Sequence, residues 1–278
     1  MNIKASKHYL KSTVLMFKTE KKVPIVKLTP DNKLLSGKVA LIVGGGGGIG
    51  AAITEEFIKS GCKVIVTSRT KAKCEEICKG NINIKTLCLD LNDIQKYDDA
   101  IKEACAIFGK IDIFVNASGI HENYVGMSFL NISEKSYDQI MNVNLKANYF
   151  LCQSIANYFI NNKIKGHILI ISSQSALEPS WSPYRLSKRG LDGLITGIAQ
   201  QLLPHGIIVN AIGPGPTATS MQEYKNGDTI YSRDNPIERY TMPSEAAEYA
   251  KLLVSNLGDT IVGQTIYMSG GRGIIDMR

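Results

Sequence analysis

The chain has 278 residues, of which 44% are hydrophobic and 21% are charged, and its net charge is +7. This length and balance suit a single α/β domain with a large core. No apolar run approaches the ~20 residues that a membrane-spanning helix needs, and the patch Val14–Phe17 is too short for a signal peptide, so we expect a soluble protein of the cytoplasm. The six cysteines show no C-x-x-C spacing, which favours buried, reduced thiols and argues against a metal site.

A basic arm, residues 1–36, comes first in the chain. It holds eight lysines against Glu20 and Asp31, so most of the excess positive charge lies there. Such an arm can bind nucleic acid or an acidic lipid surface. No aromatic-interleaved basic face accompanies it, so we favour an arm that is solvated or that packs on a neighbouring subunit. Residues 37–278 then form the folded domain.

The folded domain opens with an apolar strand, Val39–Val43, which runs directly into five glycines and a segment with helical apolar spacing. A strand, a glycine turn and a helix together offer backbone N–H groups and a positive dipole end to a phosphate. A flexible linker is the alternative, but the flanking strand and helix argue against it. The run fits three spacings of dinucleotide-binding glycines, so the turn alone does not decide between them. The candidate cofactor-binding residues here are Gly44, Gly46, Gly47, Gly48, Ile49 and Gly50.

The second predicted strand, Lys63–Thr67, is followed by Ser68, Arg69 and, after one residue, Lys71. In dinucleotide-binding folds this strand end meets the adenosine ribose, and a carboxylate there binds the 2′-hydroxyl of NAD. No acid is present, whereas the guanidinium of Arg69 suits a 2′-phosphate and Lys71 could add a second charge. The alternative is that Arg69 is a solvated loop residue. We predict that NADP(H) is preferred over NAD(H).

Strands and helices alternate along the rest of the chain. The remaining predicted strands are Ile84–Leu89, Ile111–Val115, Gly166–Ile171, Gly206–Ala211 and Gly263–Met268. Predicted helices cover residues 93–108, 134–160, 182–203 and 243–257. This alternation predicts an α/β fold with a single Rossmann-type domain, a doubly wound, mostly parallel seven-stranded sheet with helices on both faces. The ligand is expected at the carboxyl ends of the strands.

Polar residues and glycines follow most of these strand ends. The candidates after the third, fourth and sixth strands are Asp90, Leu91, Asn116, Ala117, Ser118, Gly119, Pro214, Gly215, Thr217 and Thr219. His121, in the loop after the fourth strand, is interpreted as a surface or substrate-side residue rather than a metal ligand. Ser173 follows the fifth strand, where its hydroxyl can bond a substrate oxygen.

Tyr184 and Lys188 are four residues apart on one predicted helix, so they share one face of its first turns. A free tyrosine has a pKa of about 10 and is a poor acid–base group at neutral pH. An ammonium one turn away favours the phenolate and lowers that pKa. The pair suits proton transfer to or from a carbinol oxygen while a nicotinamide moves hydride.

Residues of about 37–272 resemble the short-chain dehydrogenase/reductase family. Six motifs in order carry this resemblance: Gly44-x-x-x-Gly48-Ile49-Gly50, Asn116-Ala117-Ser118-Gly119, Asn142-Val143-Asn144-Leu145, Ser173, Tyr184-x-x-x-Lys188 and Pro214-Gly215-x-x-x-Thr219. Each is weak alone, but all six at family-like spacing form a specific match.

The resemblance implies a role for each catalytic candidate. Tyr184 would be the general acid/base, and Lys188 would hold the nicotinamide ribose and lower the pKa of Tyr184. Ser173 would position the substrate carbonyl, and Asn144 would support a water-linked proton relay through its backbone carbonyl. Asp90 would contact adenine. Contacts on the carboxamide and pyrophosphate side are implied for Thr217 and Thr219.

The spacing between Tyr184 and Lys188, and the short chain after Lys188, favour the dehydrogenase/ketoreductase branch of this family. Three features depart from the family pattern. Val43 stands where Thr is usual, and Gly47 stands where many NADPH-preferring members have a basic residue. The loop before Tyr184 looks short, so Ser175 is a minor rival for the role of Ser173.

The sequence leaves the substrate open among a fatty-acyl thioester, a sugar or polyol and a small ketone, under a predicted lid at Ser220–Tyr240. The resemblance also implies a homodimer or homotetramer that pairs the helices at 134–160 and 182–203. Alternatively, the apolar residues of these helices face only their own sheet.

A different class of function is a cofactor-binding regulator or scaffold without useful chemistry. The presence of all four catalytic candidates argues against it.

Overall fold

The structure is a computed structural model that describes residues 33–70, 72, 75–76, 80–121, 128–225, 227–233 and 235–273. Most of the predicted basic arm, residues 1–32, lies outside this range. So do the cofactor candidate Lys71, two of the cysteines, Cys74 and Cys78, and the loop residues 122–127.

Seven parallel strands form one sheet in the order β3-β2-β1-β4-β5-β6-β7. The strands are β1 Val39–Val43, β2 Lys63–Ser68, β3 Ile84–Cys88, β4 Ile113–Asn116, β5 His167–Ile171, β6 Ile208–Pro214 and β7 Thr265–Met268. The chain builds outward from β1 to β3 and then crosses back to β4. This reversal between β1 and β4 opens a crevice at the carboxyl ends of the strands. The predicted seven-stranded Rossmann-type sheet is confirmed.

Helices cover both faces of the sheet. They are α1 Gly48–Lys59, α2 Tyr97–Phe108, α3 Glu134–Met141, α4 Ala147–Asn161, α5 Pro183–Leu202 and α6 Pro243–Leu253. Alternate residues of β1 point to opposite faces, so Leu41 joins one core cluster and Ile42 joins the other. Helices α2, α4 and α5 bury residues such as Leu151 in the first cluster, and α1 and α6 bury residues such as Phe57 in the second. Each such side chain contributes about 1.5–3 kcal/mol through burial.

Several predicted elements differ from the observed ones. The helix predicted at 93–108 begins at Tyr97, after a 3₁₀ turn at Ile94–Lys96. The helix predicted at 134–160 is interrupted by a π-helical turn, Asn142–Lys146, between α3 and α4. Strand β6 continues to Pro214 because its last residues pair with β7. Helix α6 ends at Leu253, since Ser255 caps a separate short turn by accepting the Leu257 N–H.

The described cysteines are free thiols, as expected, but they are not all buried. Burial raises the pKa of Cys62 and of Cys152 to about 12. Cys88 is exposed, contrary to expectation, because the edge strand β3 turns that side of its chain to solvent. Within the described ranges, no helix is long and apolar enough to cross a membrane, and no group of three His, Cys, Asp or Glu residues could hold a metal ion.

Candidate active site

The turn between β1 and α1 needs glycine at particular positions. Gly44 has a φ of +77°, and a Cβ added there would lie 2.9 Å from the Ser118 amide nitrogen. A Cβ on Gly50 would lie 2.2 Å from the Gly44 carbonyl oxygen, and Gly48 has a φ of +50°. At Gly47, by contrast, an added Cβ would meet nothing within 4 Å, and the backbone is extended. Of the three spacings that the sequence allows, only Gly44, Gly48 and Gly50 form a set in which every glycine is required.

A buried threonine in α1 braces this turn. The Thr54 hydroxyl oxygen lies 2.9 Å from the Gly50 carbonyl oxygen and 3.1 Å from that of Gly45. These two contacts hold Gly45, in the glycine turn, close to Gly50 at the start of α1. Val43 lacks the hydroxyl that the family usually has beside this turn, and Thr54 provides one from the other side. Sequence analysis missed Thr54, because a threonine within an amphipathic helix carries no signal of such a contact.

The segment after β6 lies across the glycine turn. A Cβ added to Gly48 would be 3.3 Å from the Thr219 Cγ2, so Thr219 sits over the start of α1. Thr217 is buried, and its hydroxyl donates to the Gly215 carbonyl oxygen at 2.9 Å. The first N–H groups of α1 lack helical partners by construction, and Thr219 closes the space above them. Backbone N–H groups at the start of a helix are groups that can bind the diphosphate of a dinucleotide.

The ends of β2 and β3 meet at one corner of the crevice. Ser68 is the register partner of Cys88, and the Cys88 thiol lies 3.3 Å from the Arg69 carbonyl oxygen. The Arg69 side chain is exposed. The structure therefore places Ser68 and Arg69 together at the corner where the adenosine ribose was predicted.

The loop after β3 is shaped by local hydrogen bonds. The Asp90 carboxylate accepts from the Asn92 backbone N–H at 2.9 Å and from its side-chain amide at 3.0 Å. The Leu91 carbonyl accepts from the Tyr97 hydroxyl at 2.6 Å, which ties the loop to α2. Asp90 is exposed and is the second residue after the end of β3.

Buried asparagines connect β4 with the π-helical turn. The Asn116 side-chain oxygen, Oδ1, accepts from the Ser118 N–H at 3.0 Å and from the Ser118 hydroxyl at 2.5 Å. The Asn116 amide donates to Asn148 at 2.9 Å, and the Asn148 amide donates to the Asn144 backbone carbonyl at 2.7 Å. That carbonyl was predicted to bind a relay water, and the Asn148 amide is a hydrogen-bond donor to it. Asn148 was missed by sequence analysis.

The Asn144 side chain fixes the loop after β4. Its Oδ1 accepts from the Ile120 N–H at 2.9 Å, and its Nδ2 donates to the Ile120 carbonyl at 2.8 Å. Nδ2 also lies 3.2 Å from the Ser187 hydroxyl on α5. Asn144 is fully buried, so the loop, the π-helical turn and α5 are held in register at this point.

Helix α5 begins one residue before Tyr184, where the Ser182 hydroxyl caps it by accepting the Arg185 N–H at 3.3 Å. The Lys188 Nζ lies 5.7 Å from the Tyr184 ring centroid and donates to the Ile171 carbonyl at 3.0 Å. Burial lowers the pKa of Lys188 to about 8, and the negative charge of Asp192 acts in the opposite direction. The predicted sharing of one helix face by Tyr184 and Lys188 is confirmed.

Ser173 and His121 approach from two other segments. Ser173 is buried, and its hydroxyl accepts the Ser175 N–H at 3.1 Å, which leaves its own hydrogen to donate. The His121 ring meets the Tyr184 ring edge-on, with centroids 6.2 Å apart. His121 Nε2 lies 3.0 Å from the Met221 carbonyl oxygen in the predicted lid. A carbonyl oxygen only accepts, so we assign the hydrogen to Nε2.

The chain is similar to known proteins over most of its length. Residues 38–229 match the family described as short chain dehydrogenase. A 2-dehydro-3-deoxy-D-gluconate 5-dehydrogenase from Dickeya dadantii (strain 3937) is 32% identical over 248 residues, which cover 85% of this chain and 96% of the relative. An acetoacetyl-CoA reductase from Acinetobacter sp. (strain RA3849) is 32% identical over 244 residues, which cover 84% of this chain and 97% of the relative.

Solved structures of similar fold include two with a bound dinucleotide. A 3-ketoacyl-(acyl-carrier-protein) reductase from Brucella melitensis complexed with NADH has a TM-score of 0.76 and 28% identity, covering 86% of this chain and 100% of that chain. ElxO with NADP bound has a TM-score of 0.76 and 25% identity, covering 84% of this chain and 98% of that chain.

Proposed function

The chain belongs to the short-chain dehydrogenase/reductase family and is an NAD(P)-dependent oxidoreductase, and from this premise we propose that Tyr184 is the general acid/base for interconversion of a carbonyl and an alcohol. The observation that carries the proposal is the buried ammonium of Lys188 beside the Tyr184 ring. With a pKa of about 8, Lys188 keeps its charge at neutral pH, where that charge favours the phenolate.

The proposed chemistry assigns one task to each side chain. A bound nicotinamide dinucleotide supplies or accepts the hydride. In the reductive direction, Tyr184 gives its hydroxyl proton to the substrate oxygen, and Ser173 donates a hydrogen bond to the same oxygen. Lys188 stabilises the phenolate that remains, and the Asn144 carbonyl holds a water through which that phenolate regains its proton.

The proposed dinucleotide site follows the crevice along the sheet. The turn from Gly44 to Gly50 and the start of α1 would hold the diphosphate, with Thr219 above it. Ser68 and Arg69 would hold the adenosine ribose, and Asp90 would meet adenine. The loop from Asn116 to Gly119, together with Lys188 and the segment from Pro214 to Thr217, would hold the nicotinamide half.

The substrate is a small molecule, and we propose two compounds to assay first. The relatives described above are named for 2-dehydro-3-deoxy-D-gluconate and for acetoacetyl-CoA. The first carries a secondary alcohol at C5, the position in its relative's name, and the second carries a ketone, so they test the oxidative and the reductive direction. These two, with a panel of simple ketones, separate the classes that the sequence left open.

The proposed role of Tyr184 is tested by Tyr184→Phe. The ring and its packing remain and only the hydroxyl is lost, so dinucleotide binding should persist while kcat falls by about 10²–10⁴-fold. Tyr249→Phe, on the exposed side of α6, is the matched control and should keep parental kcat. Steady-state assays with a confirmed substrate check both. Parental turnover by Tyr184→Phe would show that another group moves the proton.

The proposed preference for NADP(H) is tested by Arg69→Ala. A charge-assisted contact to the 2′-phosphate is worth about 1.5–3 kcal/mol, which corresponds to about 10- to 150-fold in affinity. NADPH binding should weaken by that factor while NADH binding changes little. Lys63→Ala removes a positive charge at the other end of β2 and should affect neither. Fluorescence titration of both dinucleotides decides the matter, and equal losses for the two would mean that Arg69 does not contact the phosphate.

A further inference from the structure

Three hydroxyl groups converge on the carboxylate of Asp192, one helical turn beyond Lys188. Asp192 Oδ1 lies 3.3 Å from the Ser172 hydroxyl oxygen and 3.3 Å from that of Thr265, and Oδ2 accepts from the Tyr267 hydroxyl. Ser172 directly follows β5, whereas Thr265 and Tyr267 belong to β7. The two strands that flank β6 therefore hold one side chain of α5 in a fixed orientation.

The hydroxyl of Tyr267 stays a donor in this arrangement. Burial, and then the hydrogen bond to Asp192, raise the pKa of Tyr267 above its usual range. The nearby charge of Arg189 acts in the opposite direction and does not outweigh them. The Asp192 carboxylate thus has a hydrogen-bond donor on β7.

Asp192 is linked to Lys188 in two ways. The residues are four apart on α5, so they lie on one face of the helix. The Lys188 ammonium donates to the carbonyl of Ile171, and the next residue, Ser172, donates to Asp192. Tyr184 lies beside Lys188 and is contacted by His121, while Tyr267 binds Asp192 and feels the charge of Arg189.

We propose that Asp192 is a positioning residue that keeps the Lys188 ammonium charged and in place beside Tyr184. The proposal rests on the function proposed above for Tyr184 and Lys188. Burial disfavours the charge of Lys188, and the only acid that acts on it in the described residues is Asp192. Without that carboxylate, Lys188 loses its proton at lower pH. Because the ammonium supports the Tyr184 phenolate, activity then declines at lower pH on the alkaline side.

The test compares Asp192→Asn with two variants of the same network. In Asp192→Asn, the alkaline limb of the kcat profile should move to lower pH by about one unit, the size expected for one nearby charge. Asp192→Glu keeps the charge and should restore most of the parental profile. Tyr267→Phe keeps the charge of Asp192 but removes the hydrogen bond that orients its carboxylate. It should therefore shift the alkaline limb of the kcat profile less than Asp192→Asn does. Asp138→Asn, exposed on α3, should shift nothing.

A second readout does not depend on turnover. NMR of lysine labelled with ¹³C at Cε follows the titration of Lys188 in the protein without dinucleotide, with Lys188→Arg assigning the signal. Its midpoint should fall by about one pH unit in Asp192→Asn. An unchanged midpoint in the folded variant overturns the proposal and makes Asp192 a purely structural residue. If Asp192→Asn does not fold, the midpoint is measured in Tyr267→Phe, where a value equal to that of the parent overturns the proposal. The titration midpoint of Lys188 reports the effect of Asp192 whether or not Tyr184→Phe is active. The proposal for Asp192 and the proposal for Tyr184 can therefore be contradicted independently.

Discussion

Lys188 holds a positive charge where solvent hardly reaches it. Only 3% of the residue is exposed, and its ammonium has the Ile171 carbonyl as hydrogen-bond partner. Burial lowers its pKa from 10.5 to about 8, which corresponds to roughly 3 kcal/mol against the charged form. The unfolded chain binds this proton more tightly than the folded chain does. The contribution of Lys188 to stability should therefore rise as pH increases from about 8 to 10.5.

This cost of charge burial predicts that Lys188→Met gains stability and loses activity. Methionine fills a similar space without a charge, so the free energy of unfolding at pH 7 should rise by about 1–3 kcal/mol. The gain should shrink towards pH 10, where the folded parent is already neutral at this position. Lys135→Met, exposed on α3, should stay within about 0.5 kcal/mol at both pH values.

Urea unfolding at the two pH values measures these differences. A folded Lys188→Met protein with no gain at pH 7 would mean that the hydrogen bond to Ile171, and the charge of Asp192, compensate fully for desolvation. The stability data would then place Lys188 among the structural residues of the core.

At the scale of elements, the unit formed by β1, the glycine turn and α1 concentrates the strictest backbone requirements of the fold. The turn brings Gly44 against the backbone of Ser118 and brings the start of α1 against Gly44 itself. Thr54 then closes the unit from within the helix. Small changes of shape here should affect the proposed dinucleotide site, because the same backbone groups would hold the diphosphate.

Gly44→Ala and Gly47→Ala should therefore differ sharply, although both add one methyl group. At Gly44 the methyl group meets backbone atoms at 2.9–3.0 Å and the φ of +77° is strained for alanine. Overpacking and strain together should lower stability by about 2 kcal/mol or more and weaken dinucleotide binding. At Gly47 there is open space, so stability should change by less than about 0.5 kcal/mol.

Thermal unfolding and dinucleotide titration of the two variants check this contrast. Similar losses in both would mean that the turn rearranges freely, and that the packing at Gly44 does not restrain it. Unchanged binding in Gly44→Ala would remove the turn from the proposed site.

The elements were largely predictable from sequence, because strands such as β1 and β5 are continuous apolar runs buried on both faces. The π-helical turn was not, since its apolar residues keep a helical spacing. It is stabilised by Asn148, whose other partner, Asn116, comes from β4. The contact between Asp192 and Tyr267 joins residues 75 positions apart, so no local pattern could indicate it. Motif residues were found because the chemistry restricts their type, whereas the residues that support them depend on the fold.

At the scale of the whole molecule, the helices that the resemblance pairs between subunits bury several apolar residues within their own chain. Ile140, Leu151 and Leu191 are buried in their own chain, as the alternative reading of those helices held. The outer surface of the same helices carries other apolar groups, including Tyr149 and Leu186. A hollow of about 300 Å³ there is lined by Met141, Asn142, Leu145, Lys146, Tyr149 and Phe150. We propose that this outer surface pairs with a second copy of the chain.

Light scattering after gel filtration tests the pairing. The parent should show the mass of two or four chains of 30.4 kDa, and Tyr149→Glu should shift it towards smaller species. A carboxylate buried without a partner at such a surface is strongly unfavourable. Ile82→Glu, exposed at the opposite edge of the sheet, should leave the mass unchanged. A monomeric parent at micromolar concentration would contradict the proposal.

Gly47 has a consequence for the history of this chain. Its extended backbone and the open space around an added Cβ mean that a residue with a side chain can begin there without a clash or a strained φ. Every glycine codon is one base change from an arginine codon. A cation in this turn is therefore a single base change away, and its Cβ needs no compensating change elsewhere. Such a change would add positive charge to the proposed dinucleotide site, while Gly44 and Gly50 stay restricted to glycine by sterics.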